Sequence, residues 1–178
     1  MYPFLRMTTA MARARRLPPL APFAAHVSAH RIRAVDIDPW GELNNGRALT
    51  LFDLGRLPLY VRTGMIAALR RSGWRITVAG STVRYRRRLT AGDRVTMTTR
   101  LMGWDARFLY LEQGLWRGDD CAVHVLNRSA LTTGRGIVPT ADLAAAMGLP
   151  AQGPGLPDWV RAWAEAEALR PWPPEIRP

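Results

Sequence analysis

Between Ile76 and Thr133 the chain offers a succession of strand candidates separated only by short turns, and this run restricts the fold more than any other feature. Ile76 to Arg88 comes first, followed by the turn Leu89-Thr-Ala-Gly-Asp93. Arg94 to Trp104 alternates, with Val95, Met97, Thr99 and Leu101 on one face. Gly103 to Ala106 turns again, Arg107 to Arg117 is rich in aromatic and aliphatic residues, Gly118 to Asp120 turns once more, and Cys121 to Thr133 closes the series. Turns this short join antiparallel neighbours, because parallel ones need a crossover of about a dozen residues. The result is an antiparallel meander with an apolar face to cover.

The cover stands upstream. Val27 to Val35 alternates imperfectly and is expected to be a first strand. The loop Asp36 to Arg47 follows, then Ala48 to Leu57, apolar on most of its circumference. Such a helix is a buried one. Asn44 or Asn45 is placed to cap it, and Pro58 is expected to kink or end it near Leu57. A second helical piece, Met65 to Arg71, stops at Gly73. The fold class expected is α+β, with the apolar helix on the concave face of a curved antiparallel sheet.

Flanking this unit, expected at residues 26–150, are an N-terminal basic helix and linker (1–25) and a C-terminal helical tail (151–178). Thr140 is a candidate cap for a short helix to Met147 at the end of the central unit, and Asp158 for a final helix to about Leu169 in the tail. Residues 1–16 read as a basic amphipathic helix, either packed on its own domain or lying on a membrane surface as a peripheral contact. Arginines interrupt the apolar core that a secretory signal requires.

Composition narrows the chemistry. The chain has 178 residues, a formal net charge of +11 and no lysine. This balance favours a polyanionic partner: nucleic acid, anionic lipid or a phosphate-bearing carrier. No nucleic-acid-binding module is visible, so no nucleic-acid partner is expected. Cys121 stands alone, which excludes an internal disulfide, and a cytoplasmic location is expected. His26, His30 and His124 form no metal-ligand pattern, and no metal is expected. A Gly-x-Ser-x-Gly elbow, a dinucleotide fingerprint and a P-loop are all missing.

The chemistry-bearing stretch is Asp36-Ile-Asp-Pro-Trp-Gly-Glu-Leu-Asn-Asn-Gly-Arg47. Carboxylates before a helix N-terminus combine a general base or nucleophile with free N–H donors that favour negative charge. Asp38 fits the first role, or is a turn aspartate before Pro39. Asp36 either couples to it or binds a loop N–H. Of Asn44 and Asn45, one is a cap and the other is placed to orient water or substrate. Glu42 is a second acid–base group or a surface residue. Trp40 is a candidate pocket wall. Arg84, Arg86 and Arg88 share one face if the strand runs on, and either grip phosphate, lie solvated or pair across a dimer.

Asp36-x-Asp38-Pro-Trp-Gly41-Glu-x-Asn44-Asn45-Gly-Arg, followed by Phe52-Asp-Leu-Gly-Arg56, resembles the hotdog-fold acyl-CoA thioesterases. It is similar to their 4-hydroxybenzoyl-CoA thioesterase-like branch, and within it to bacterial proteins related to mammalian thioesterase superfamily member six. Arg84-Tyr-Arg-Arg, Leu101-x-Gly-Trp104 and Tyr110-Leu-Glu-Gln113 extend the likeness. The resemblance implies a thioester hydrolase acting on acyl-CoA or acyl carrier protein, with coenzyme A as part of the substrate and no other cofactor. It implies a homodimer or dimer of dimers with active sites at the seam. Matched by position, Asp38 is the catalytic carboxylate, and the N–H groups near Asn45 and Gly46 receive the thioester oxygen. The family often carries His at the position of Glu42 and Tyr at that of Ala48. These departures keep a non-catalytic acyl-CoA- or lipid-binding protein as the alternative.

Overall fold

The computed structural model describes residues 2–176. Helix α1 (Phe4–Ala14) leads to strand β1 (His26–Arg31), a 3-10 turn at Ala34–Asp36, and helices α2 (Asn45–Leu51), α3 (Asp53–Arg62) and α4 (Met65–Ser72). Strands β2 (Arg75–Tyr85), β3 (Arg94–Trp104), β4 (Phe108–Arg117), β5 (Asp120–Thr133) and β6 (Gly136–Val138) follow, then helices α5 (Thr140–Ala146) and α6 (Asp158–Leu169). The strands form a single antiparallel sheet in the order β1-β3-β4-β5-β2, with β6 also paired to β5. β1 and β2 are therefore the edges of the main path. Among the described residues no helix is long and apolar enough to cross a membrane.

The meander forms as its alternation predicts. Val95, Met97, Thr99 and Leu101 of β3 are all buried. They join Leu111 and Leu115 of β4 and Val123, Val125 and Leu131 of β5 in a core closed by Leu51, Phe52, Leu54 and Leu59 of the helices. Gly55 marks the tightest approach of helix to sheet. A Cβ there would lie 2.6 Å from Met97 Sδ and closer still to Thr99 Oγ1, so only glycine fits.

A polar row crosses this apolar face. Ser81 Oγ donates to Asn127 Oδ1 (2.7 Å), and Asn127 Nδ2 donates to Gln113 Oε1 (3.2 Å). Gln113 Nε2 then donates to Thr99 Oγ1 (2.9 Å) and to the Phe52 carbonyl (2.8 Å). Thr99, Gln113 and Asn127 are fully enclosed, and each buried amide finds partners, as burial demands.

Several boundaries differ from the sequence reading. The first strand ends at Arg31 rather than Val35, because Asp36 accepts the Arg33 N–H (3.0 Å) and draws the chain into a turn. Pro58 does not end the helix. It lies inside α3, and the irregularity falls at Phe52, whose carbonyl takes the inserted Gln113 amide. β2 stops at Tyr85, because the N–H groups of Arg86 and Arg87 both turn to the Ala122 carbonyl (2.8 and 3.2 Å). Thr140 and Asp158 are not caps: Pro139 and Pro157 hold those positions, Thr140 Oγ1 donates to the Asp105 carbonyl, and Asp158 pairs with Arg161.

Helix α1 packs against α3, and Tyr2 Oη donates to Asp53 Oδ2 (2.7 Å). At the other end of the chain, α6 lies on the convex face of the sheet. Val160 is enclosed there with Tyr110 and Leu126.

Candidate active site

The loop before the central helices is a small hairpin. Ile37 and Leu43 form an antiparallel bridge, Asp38 N donates to the Glu42 carbonyl (2.9 Å), and Gly41 N donates to the Asp38 carbonyl (3.0 Å). Gly41 takes φ +78°, a conformation that glycine adopts without strain. The hairpin folds Asp38 back beside Glu42, two residues before the helix cap.

Asn44 is that cap: its Oδ1 accepts the Arg47 N–H at 2.9 Å. Asn45 and Gly46 are exposed, and their N–H groups have no acceptor among the described residues. Free donors at a helix start are an attractive place for a developing negative charge.

The two aspartates are treated differently. Asp36 is fully buried and accepts from Arg6 Nη1 (2.8 Å), Arg47 Nε (2.7 Å) and the Arg33 N–H. Burial pushes its pKa up, but the Arg47, Arg33 and Arg6 hydrogen bonds outweigh this and hold it below the usual carboxylate range. Asp38 is half-buried. Its Oδ1 accepts from Trp40 N (2.9 Å) and Glu42 N (3.4 Å), while Oδ2 has no partner among the described residues. Asp36 ties the loop to α1 and α2. Asp38 keeps one oxygen in the turn and one unengaged.

Beside the hairpin lies an open pocket of about 230 Å³. Glu42, Asn45 and Tyr85 line it, with the consecutive arginines Arg86, Arg87 and Arg88. Glu42 Oε2 meets Arg88 Nε at 3.0 Å. Tyr85 Oη donates to the Asn45 carbonyl at 3.1 Å, so a phenol reaches the first helical turn from β2. Burial raises the Tyr85 pKa.

The structure thus brings Glu42, Asn45, Arg86 and Arg88 together, and adds Tyr85 and Arg87, which sequence reasoning missed. The missed signal is the end of β2: past Tyr85 the two-residue alternation lapses, and neighbouring side chains share one cavity. Arg84 goes elsewhere. It faces a separate cavity of about 460 Å³ with Thr82, Glu112, His124, Trp159 and Trp163. Trp40 is largely exposed beside the loop and lines neither cavity. His124 Nε2 contacts Glu112 Oε1 at 3.0 Å, and Arg100 Nε donates to Glu112 Oε2 at 2.7 Å. Among the described residues no cluster of three or more His, Cys, Asp or Glu is gathered for a metal.

Comparison with known proteins gives a consistent picture. The sequence profile of the thioesterase-like superfamily matches residues 32–164. Protein THEM6 of Xenopus laevis is 36% identical over 78 residues, covering 44% of this chain and 38% of that protein. Protein THEM6 of Danio rerio is 34% identical over 90 residues, covering 51% and 45%. The matched stretch thus spans less than half the length of these relatives. Among solved structures, a probable thioesterase from Bartonella henselae superposes with a TM-score of 0.58 at 23% identity, over 65% of this chain and 97% of that one. A thioesterase from Thermus thermophilus, solved with coenzyme A and zinc, superposes with a TM-score of 0.55 at 22% identity, over 74% and 100%. The curled antiparallel sheet around its helices is the hotdog fold of these neighbours.

Proposed function

This chain belongs to the thioesterase-like superfamily, and from that premise we propose that it hydrolyses an acyl thioester of coenzyme A or acyl carrier protein. The observation that carries the reading is the hairpin. In it Asp38 keeps one oxygen unengaged, and the two residues that follow the cap, Asn45 and Gly46, have N–H groups with no acceptor among the described residues; Glu42 of the hairpin and Asn45 line an arginine-rich pocket.

In this reading Asp38 is the base. Water adds to the thioester carbon and gives its proton to Asp38 Oδ2. The carbonyl oxygen, now negative, is received by the N–H groups of Asn45 and Gly46; losing one such donor typically costs about 10²–10³ in rate. The C–S bond then breaks, and the thiolate takes the proton back from Asp38. Alternatively Asp38 attacks the carbon directly, the C–S bond breaks to release the thiolate and leave an acyl-aspartyl anhydride, and water then hydrolyses the anhydride, restoring the Asp38 carboxylate and supplying the proton the thiolate takes up. Arg86 and Arg88 attract the phosphates of the carrier. Glu42, paired with Arg88, has its charge partly offset. Asn44 sets the helix start, and Trp40 is free to cover a bound acyl group. Arg84 is set apart from this group in the fold.

The reading includes a homodimer or dimer of dimers in the cytoplasm. The open edge of β2, paired among the described residues only with β5, supports the dimer. No step calls for a cofactor beyond the coenzyme A of the substrate.

A second reading is a non-catalytic acyl-CoA-binding protein. Two features favour it: Glu42 brings negative charge to the pocket where an oxyanion would form, and Ala48, fully enclosed, has no polar group to offer. Free-thiol release across a panel of acyl thioesters separates the two. Turnover supports hydrolysis; saturable acyl-CoA binding without thiol release supports the alternative.

A further inference from the structure

At the β1 edge, on the far side of the sheet from β2, a groove of about 680 Å³ runs between helix α1 and strand β1. Its floor is Leu54 and Pro58 of α3, and Leu5, Leu17 and Val27 give it an exposed apolar rim. Arg6, Arg13, Arg16, Arg31 and Arg33 also line it, and among the described residues no carboxylate does.

The arginines are not equivalent. Arg6 is engaged by Asp36, and Arg31 Nε donates to the Gly92 carbonyl at 3.2 Å. Arg13 and Arg16 make no side-chain hydrogen bond or ion pair among the described residues. Arg13 stands in the last turn of α1 and Arg16 in the turn that follows, its N–H donating to the Arg13 carbonyl at 3.0 Å, and both line the groove, where they can meet one anion together. A groove of this size suits an alkyl chain, and apolar walls with a few converging polar groups are the usual form of a small-molecule site. Unpaired cations above an apolar floor specify the ligand: a chain ending in one negative charge.

We propose that this groove binds a free fatty carboxylate, its chain along Leu54, Pro58 and Val27 and its head group between Arg13 and Arg16. The site is separate from the hairpin and does not depend on thioester hydrolysis.

His30 gives the site an internal reporter. It faces the groove, its Nε2 lies 2.8 Å from Ser28 Oγ, and its pKa is pushed down to about 4 by burial, then by Arg6, His26 and Arg13. Across from it, α3 contributes only the apolar Leu54 and Pro58. A bound carboxylate offsets the α1 arginines, and the His30 pKa rises toward its ordinary value.

The test is calorimetric titration of the full chain with laurate below its micelle concentration, with the His30 ring followed by NMR. The expected result is saturable binding of one laurate per chain and an upward shift of the His30 titration. Arg13→Ala/Arg16→Ala, two exposed positions, should weaken binding about tenfold or more, the scale of a lost charged hydrogen bond. Dodecanol, with the same chain length and no charge, should bind more weakly than laurate. Ala10→Trp, which fills the groove, should abolish binding with the helical circular dichroism retained. The proposal is overturned if the wild type shows no saturable laurate binding, if the double arginine variant binds as tightly as the wild type, or if the protein holds anionic vesicles while ignoring monomeric laurate.

Discussion

Arg6 of the N-terminal helix reaches Asp36 across 2.8 Å, thirty residues along the chain, and the carboxylate it meets is fully buried. Arg47 takes the other oxygen at 2.7 Å. One enclosed carboxylate therefore joins α1, the hairpin and the first turn of α2. Removing one member of a buried ionic group typically costs about 3–5 kcal/mol, because the remaining charges lose their partner. Asp36→Asn is expected to lower stability at the bottom of that range, since Arg6 and Arg47 keep some access to water. Urea unfolding measures it.

The same group sets part of the acid response. The folded-state pKa of Asp36 is lowered, so its contribution is complete above the ordinary carboxylate value and fades as pH falls through that value and below. His30 acts over a higher window. Its folded pKa of about 4 lies below the ordinary histidine value, so the unfolded chain binds the proton first and stability declines as pH drops from about 6.5 toward 4. His30→Gln is expected to flatten the stability curve in that upper window by on the order of 1–3 kcal/mol, leaving the loss below pH 4 in place. Unfolding free energies measured at steps between pH 3 and 8 check both windows.

Gly55 offers a packing test. Its missing Cβ would meet Met97 Sδ at 2.6 Å and Gln113 Nε2 at 3.3 Å. Overpacking of this kind typically costs about 1–3 kcal/mol. Gly55→Ala should fall in that range despite alanine's better helix propensity. Thr99→Ala in the same chain should recover part of the loss by opening space under the helix, a non-additivity that a double-mutant cycle reads directly.

The arginine pocket carries a kinetic prediction. Arg88→Ala and Arg86→Ala are expected to raise KM for an acyl-CoA with little change in kcat, because a phosphate contact remote from the reacting carbon is present in ground and transition states alike. Added salt should raise the wild-type KM and narrow the gap to the variants.

What could be read in the residues, and what could not, divides along physical lines. The meander was legible because Val95, Met97, Thr99 and Leu101 repeat every two residues, and burial enforces that period. The central helices were legible from their apolar circumference, and Asn44 was among the named caps. The ends of β3, β4 and β5 were legible to within a residue, but the C-terminal ends of β1 and β2 were not. β2 stops where Arg86 and Arg87 share the Ala122 carbonyl, a contact set by β5 about thirty-five residues away, so no local pattern announces it. Likewise Pro58 reads locally as a helix stop, whereas the helix yields at Phe52 because Gln113 inserts there from the sheet. Tyr85 entered the pocket unannounced for the same reason as Arg87: its neighbours come from elsewhere in the chain. The roles given to Asp38 and the helix amides came from the family resemblance; the hairpin supplies the geometry on which they can be tested.

The most direct measurement is free-thiol release from a panel of acyl-CoA substrates by the wild type, Asp38→Ala and Asp36→Asn, each checked for folding. Hydrolysis by the wild type is expected, reduced about 10²–10⁴-fold in Asp38→Ala, the usual contribution of a positioned base, and retained in Asp36→Asn to the extent that it folds. Equal turnover in the wild type and Asp38→Ala would contradict the role given to Asp38, and an inert wild type that binds acyl-CoA would contradict thioester hydrolysis itself.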